Sequence, residues 1–261
     1  MDGCRNLPPL SWLSLFALFF ASAVGPATAP EFADHPDALW RVVNLLCVTD
    51  MRLSGFAAPC LAVNLDRGYA IVPDPNRRTQ ILFVPTQRLT GIESPALLKP
   101  HAPNYWRYAW DARGYLNHRV GKDLPRDGIA MAINSVAGRT QDQLHIHIDC
   151  VRPGVRAALR SHQSLITGVW SPFPVPLAGH GYRAMRIVGS DLGDQDPFKL
   201  LAMRDGATRN HMADQTLAVT GAWFAGRPGF IILAGRNSTP DNPRAAAEDL
   251  LDHGCAIGRS R

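Results

Sequence analysis

The sequence lacks a clustered basic stripe with interleaved aromatic residues, which is the usual mark of a nucleic-acid-binding surface. Its 261 residues include 27 basic and 22 acidic side chains, a formal net charge of +5. That modest excess suits an anionic small molecule or an anionic membrane surface. There is also no internal repeat and no low-complexity segment. The hydrophobic fraction of 46% is ordinary for a globular protein and argues against a largely disordered chain. Nucleic acid is therefore not an expected partner.

The sequence also has no C-x-x-C pair and no Cys–His spacing typical of a zinc site. Besides Cys4, close to the N-terminus, four cysteines remain: Cys47, Cys60, Cys150 and Cys255. An even number in an exported chain predicts two disulfides, for which three connectivities are possible. Turn-like sequence between the first two favours a local bridge, and the other two would then pair with each other.

The first 29 residues are expected to precede the folded domain as a signal peptide or an N-terminal membrane anchor. Arg5 is followed by an apolar run of signal-peptide length, Leu10 to Phe20. Ala21-Ser22-Ala23 is the favoured cleavage site. An uncleaved anchor stays possible, although the run is shorter than the roughly 20 residues of a spanning helix. Either case predicts export of residues 30–261, interpreted as a single domain with a C-terminal extension from about residue 154.

The pattern of apolar residues predicts an α+β fold with an antiparallel sheet and flanking helices. A helix is expected at Asp37–Cys47 and another at Asn104–Val120. The predicted strands are Leu61–Asn64, Tyr69–Val72, Thr79–Pro85, Ile129–Asn134 and Gln143–Cys150. In the extension, helices are expected at Val155–Leu165, Asp196–Met203 and Arg244–His253, a loop at Ser171–Gly181, and a hairpin of Leu217–Phe224 with Gly229–Gly235. These elements could extend the same sheet or form a second layer.

The segment with the most chemical information is NSVAGRTQDQLHIHIDC, residues 134–150. In a strand, His145 and His147 share one face about 7 Å apart, and Gln143 extends that face, with aliphatic residues on the other side. No carboxylate of the segment is expected beside the two imidazoles. In the preceding turn, Arg139 and Thr140 offer donors to phosphate oxygens, and Asn134 could bind a ribose.

Three interpretations compete for the two histidines. They could be ordinary core or surface residues, or they could be metal ligands, since H-x-H on a strand commonly holds zinc or iron. A metal site would need a third ligand, and His101, His118, His180, His211 and His253 are the candidate histidines, none in a recognisable motif. The third interpretation is covalent catalysis, in which one imidazole attacks phosphorus.

The segment Q-L-H-I-H-I resembles the H-x-H-x-H strand of the histidine triad superfamily, with Gln143 in place of the first histidine. More specifically, AINS (132–135), GRTQ (138–141), LHIHI-x-C (144–150) and the following RP resemble the CDP-diacylglycerol pyrophosphatase family. FVPTQRLTGIESP (83–95) and PNYW (103–106) are similar to that family too. The resemblance extends from about Leu39 to Cys255, which is nearly the whole of the part expected to be exported. It implies a HIT-like antiparallel sheet.

The resemblance implies hydrolysis of CDP-diacylglycerol to CMP and phosphatidate without a cofactor or metal. A related nucleotide pyrophosphate is the other substrate that the sequence leaves open. His145 maps onto the nucleophile, and His147 onto the third histidine, which assists; a shift of register by two would make His147 the nucleophile. Asn134, Arg139, Thr140 and Gln143 are the expected substrate-binding residues. It also implies a bacterial inner-membrane location with the catalytic domain on the periplasmic side. An exported binding protein without turnover, or a metal-dependent hydrolase, stays open as an alternative.

Overall fold

The structure is a computed structural model that describes residues 35–237 and 243–259. The predicted signal peptide or anchor lies outside the described residues. Within these two ranges, none of the helices combines the length and the apolar character needed to cross a membrane.

One sheet forms the centre of the domain, and short helices cover both of its faces. The ten strands are β1 Ala62–Asn64, β2 Tyr69–Pro73, β3 Ile81–Pro85, β4 Ile129–Ile133, β5 Ile146–Val151, β6 Ser171–Pro172, β7 Arg183–Val188, β8 Gln215–Phe224, β9 Arg227–Arg236 and β10 Leu251–Asp252. The α-helices are α1 Ala38–Arg41, α2 Val48–Ser54, α3 Tyr105–Asp111, α4 Arg113–Val120, α5 Pro153–Ser161, α6 Pro197–Ala202, α7 Gly206–Asn210 and α8 Ala256–Arg259. A π-helical segment, Val42–Cys47, joins α1 to α2.

All ten strands belong to one antiparallel sheet, which confirms the predicted α+β class. The order is β1-β2-β3-β5-β4-β8-β9-β7-β6, and β10 pairs with the end of β5. The predicted hairpin of β8 and β9 is present and extends the sheet beyond β4. The C-terminal extension therefore adds strands to the first sheet and does not build a second one.

The two faces of the sheet differ in how they are covered. On one face, Ile146 and Ile148 of β5 pack in a large apolar cluster with Trp106 and Trp110 of α3. On the other face there are two smaller clusters. One lies under the N-terminal helices around Val43, and the other under α5 and the C-terminal segment. The polar side chains of β5 belong to this second face.

Two disulfides tie the chain together as the sequence predicted. Cys47 is bonded to Cys60, and Cys150 to Cys255. The first fixes the N-terminal helices next to β1. The second joins β5 to the end of the chain, 105 residues away in sequence.

Several predicted elements have to be corrected. The helix expected at Arg244–His253 is wrong. Ala245 has a φ of 45°, only Ala247–Leu250 forms a 3-10 turn, and Leu251 and Asp252 pair with β5. The backbone of this segment thus finds its hydrogen bonds in the sheet. Strand β7 lies in a part of the chain for which no element was predicted, and the helix expected at Asn104–Val120 is split at Ala112 into α3 and α4.

Candidate active site

His145 lies just before β5 and is held by a short hydrogen bond to its own chain. Its Nδ1 atom is 2.7 Å from the carbonyl oxygen of Gln143. A carbonyl can only accept, so Nδ1 carries the proton and the lone pair of the neutral ring is on Nε2. Burial lowers the pKa of His145 below 6.5, against the opposing effects of the Gln143 carbonyl and of Glu248. The ring is therefore neutral at pH 7, with Nε2 in the state that a nucleophile requires.

His147 lies in β5 beside His145, and the two rings meet edge to face. Their centroids are 4.8 Å apart, closer than the roughly 7 Å expected from strand rise alone. The shorter distance arises because His145 precedes the regular strand, which begins at Ile146. Leu82 and Ala132 are the cross-strand neighbours of His147. Both histidines are thus on one face, as predicted, and close enough to contact one phosphate group.

Gln80 sets the protonation of His147. Its Nε2 atom is 2.9 Å from Asp74 Oδ2 and 3.3 Å from Glu248 Oε1, both of which are acceptors. The same nitrogen is 2.9 Å from His147 Nδ1, and because an amide NH2 can only donate, Nδ1 is the acceptor. Its two hydrogens serve the two shortest contacts, to Asp74 and His147, and the longer contact to Glu248 shares one of them. His147 consequently carries its proton on Nε2, which is buried and has no hydrogen-bond partner within the described part of the chain. An unpaired buried donor beside a nucleophile is well suited to bind a phosphoryl oxygen.

Glu248 is the carboxylate nearest to the histidine pair. Its Oε1 atom is 3.5 Å from His147 Nδ1, while Asn134 accepts from the Glu248 backbone amide and donates to its Oε2. Burial opposes ionisation of Glu248, but the hydrogen bonds that Gln80 and Asn134 donate to its carboxylate favour the charged form, and its pKa is lowered. Burial lowers the pKa of His147 in turn, and Glu248 only partly compensates. At pH 7 the site thus combines a carboxylate with two neutral imidazoles.

A second histidine–carboxylate pair continues this network. His253 Nδ1 is 3.0 Å from Asp149 Oδ2, and His253 Nε2 is 3.6 Å from Glu248 Oε1. Asp149 is fully buried and also accepts from the Thr79 hydroxyl at 2.7 Å. The disulfide between Cys150 and Cys255 keeps these partners together, since each cysteine is within two residues of one of them. The expectation that no carboxylate of the segment lies on the face of the two imidazoles was wrong. Asp149 follows His147 by two residues in β5, and alternate residues of a strand point to the same face.

Arg139 was predicted to donate to phosphate oxygens, and in the structure its guanidinium has two carboxylate partners within the protein. It donates to Glu93 Oε2 at 2.6 Å and to Asp142 Oδ1 at 3.0 Å, so two carboxylates already neutralise its guanidinium. Thr140 is exposed on the same turn. Gly138 permits a close approach, but to protein: a Cβ there would be 2.7 Å from the Arg244 carbonyl oxygen. The turn is packed against the C-terminal segment.

Gln143 and Asn134 also have protein partners where substrate contacts were expected. The Gln143 amide donates to the carbonyls of Pro85 and Gln87 at 2.9 and 3.0 Å and accepts from the Leu89 amide at 3.3 Å. Both of its donors are thus used by the backbone of the loop after β3. The side chain of Asn134 holds Glu248, as described above. Both residues thus hold parts of the site in place, and the two donors of the Gln143 amide are both used by the protein backbone.

Gln80, Glu248 and Asp149 were not predicted as site residues from the sequence, and His253 was predicted only as a candidate metal ligand. Alternation along β5 alone would have predicted that Asp149 shares the face of His147. Glu248 was hidden by the helix assigned to its segment, and Gln80 gave no local signal, because a polar residue before a strand is commonplace. Among the described residues, no group of three or more His, Cys, Asp or Glu side chains is arranged to hold one metal ion.

The antiparallel α+β domain holds a buried, neutral histidine pair backed by carboxylates, an arrangement suited to a hydrolase that acts at phosphorus, and comparison with known proteins shows such a family. The family model described as CDP-diacylglycerol pyrophosphatase matches residues 34–259. A protein of Yersinia pestis named CDP-diacylglycerol pyrophosphatase is 40% identical over 223 residues, covering 85% of each chain. The chain belongs to the CDP-diacylglycerol pyrophosphatase family and is an enzyme, as the resemblance implied.

Proposed function

We propose that this protein hydrolyses the pyrophosphate bond of CDP-diacylglycerol, releasing CMP and phosphatidate, with His145 as the nucleophile. The observation that carries the proposal is the 2.7 Å bond from His145 Nδ1 to the Gln143 carbonyl. This bond keeps the ring proton on Nδ1, so the Nε2 lone pair can attack phosphorus and no general base is needed to deprotonate the ring. It also favours His145 over His147, whose Nδ1 accepts from Gln80 and whose Nε2 holds the proton.

In the first half of the reaction, His145 Nε2 attacks the phosphorus that carries cytidine. A nitrogen–phosphorus bond forms, and the bond from that phosphorus to the bridging oxygen breaks. Phosphatidate leaves with the electron pair. Because the leaving group is a phosphate, its oxygen needs little protonation. The Nε2–H of His147 donates to an oxygen of the reacting phosphate, where negative charge develops.

In the second half, water attacks the same phosphorus and the nitrogen–phosphorus bond breaks. CMP is released, the water proton is lost to solvent, and the His145 ring returns to its neutral form. The histidine triad superfamily is the parallel for this two-step route. Gln143 does not have to move a proton in it, since its amide is committed to the backbone of residues 85–89. Its presence is therefore no argument for a binding protein without turnover.

The proposal is tested with wild-type protein, His145→Gln, His147→Gln and the exposed-histidine control His118→Gln on CDP-diacylglycerol in detergent micelles. CMP release is expected from the wild type and the control, with loss of at least about 1,000-fold in His145→Gln. A second assay uses substrate with a radioactive label in the phosphate that carries cytidine. The wild type should trap this label in a bond that is labile in acid and stable in base, and His145→Gln should trap none.

Two alternatives give different results in the same assay. A metal-dependent hydrolase would be silenced by chelator and restored by zinc or manganese, whereas the histidine route is unaffected by chelator. A binding protein would retain CDP-diacylglycerol but release no CMP and trap no label. We also propose that the domain acts after export, in an oxidising compartment, which the two disulfides support.

A further inference from the structure

Large apolar side chains are exposed in an unusual concentration near the start of the described chain. Of the thirteen large hydrophobic residues exposed in the described ranges, six lie between residues 45 and 65. Leu45, Leu46, Leu53 and Phe56 are the most exposed of these, between 50% and 83%, and are called the apolar patch below. Single exposed apolar residues are common on proteins, but a cluster of them marks an interaction surface.

The patch is the outer side of an element whose inner side is buried. Val43 and Cys47, in the π-helical segment, are fully buried against β2 and β3, and the bond from Cys47 to Cys60 fixes the loop that contains Phe56. The patch is therefore a rigid feature held on the domain. Arg41 and Arg52 are exposed on the same stretch, as basic residues at the level of lipid headgroups often are.

This element lies next to the histidine site. Leu39 donates its backbone amide to the Gln141 side chain at 2.8 Å, and Asp142 donates to the Pro36 carbonyl at 2.6 Å. Residues 141 and 142 lead directly into the segment with both histidines. The helices α1 and α2 also cover the same face of the sheet as the histidines. The start of the element that carries the patch thus lies beside the segment that leads into His145.

We infer that the apolar patch docks the protein onto a lipid bilayer, with Leu45, Leu46, Leu53 and Phe56 entering the interface. The inference rests on the proposed substrate, whose two acyl chains have to stay in an apolar medium while its pyrophosphate reaches the histidines. The chain outside the structure supports the same orientation. The apolar run Leu10–Phe20 ends 15 residues before His35, a distance that an extended chain spans in at most about 50 Å.

The test uses the full-length chain with tryptophan introduced into the patch. Leu53→Trp and Phe56→Trp are compared with Met203→Trp, a control that is 77% exposed next to α6, which packs on the opposite face of the sheet. The fluorescence of the six native tryptophans is subtracted by using the unsubstituted protein. Each protein is bound to vesicles of phosphatidylcholine and phosphatidylglycerol, with or without bromine on the acyl chains.

Docking predicts that brominated vesicles quench the added fluorescence of Leu53→Trp and Phe56→Trp at least about twofold more than that of Met203→Trp. Equal quenching at all three positions, or none in the patch while the protein is vesicle-bound, overturns the inference. The latter result would mean that residues 1–34 or a second copy of the chain cover the patch. Because the experiment does not measure turnover, its result is independent of whether the proposed histidine mechanism is correct.

Discussion

The Nδ1 atom of His145 lies 2.7 Å from the carbonyl oxygen of Gln143, whereas Nδ1 of His147 accepts a hydrogen bond from Gln80. The two neighbouring rings are therefore expected to be opposite tautomers, with the proton on Nδ1 in His145 and on Nε2 in His147. In the proposed mechanism, this difference gives the roles of nucleophile and donor to separate rings whose centroids are 4.8 Å apart.

The tautomers can be read from ring nitrogen chemical shifts. In long-range proton–nitrogen NMR spectra at pH 7, His145 should show an unprotonated Nε2 and His147 an unprotonated Nδ1. Gln80→Leu removes the donor to His147 and should alter only the His147 pattern. Identical tautomers in the wild type would contradict the division of roles between the two rings.

Replacement of Glu248 by Gln is expected to slow turnover and leave substrate affinity nearly unchanged. Glu248 is a positioning residue, because it acts through His147 and Gln80. A misplaced donor lowers kcat by up to roughly 100-fold, as shifts of about 1 Å in a reacting group do. Steady-state kinetics should show the loss in kcat with KM within about twofold, and partial recovery in Glu248→Asp. The adjacent, more exposed Asp249→Asn is the control, and equal effects of both substitutions would refute the role.

Gln143→Leu should destabilise the fold by about 1–3 kcal/mol per buried polar group left without its partner. The buried groups concerned are the carbonyl of Pro85 and the amide of Leu89, whereas the carbonyl of Gln87 belongs to an exposed residue and can bond to water instead. The free energy of unfolding in urea measures the effect, with the exposed Gln195→Leu as the matched control. Equal stability of the two variants would show that the Gln143 amide is not needed to hold this loop.

Stability is expected to fall as the pH is lowered through 6.5. Burial lowers the pKa of His145 and His147, so below pH 6.5 the unfolded chain binds protons that the folded chain does not. The stabilisation is complete above pH 6.5, and at pH 5 each histidine accounts for a loss of up to about 2 kcal/mol. Unfolding in urea at pH 7.5 and at pH 5 measures this difference. The double variant His145→Asn with His147→Asn should show a clearly smaller difference in the free energy of unfolding between the two pH values. An unchanged difference would mean that other groups are responsible for the pH dependence.

The sequence alone determined the features that depend on local periodicity and short-range chemistry. Alternation along residues 143–150 placed both histidines on one face, and the motifs around them indicated the family. The α+β class followed from the strand patterns, and the two disulfide pairs from a count of four cysteines with a short first loop. Each of these features is encoded by short-range patterns, except the pair of Cys150 and Cys255, which followed once the local pair was assigned.

Only the tertiary structure decided which partners the histidines have. Glu248 follows His147 by 101 residues and reaches it because Leu251 and Asp252 pair with β5 and a disulfide closes that end. No local pattern predicts such a contact, since the helical composition of residues 244–253 is overridden by hydrogen bonds to the sheet. The protein partners of Arg139 and Gln143 could not be predicted for the same reason. Their partners, Glu93 and the backbone of residues 85–89, are brought to them by the fold.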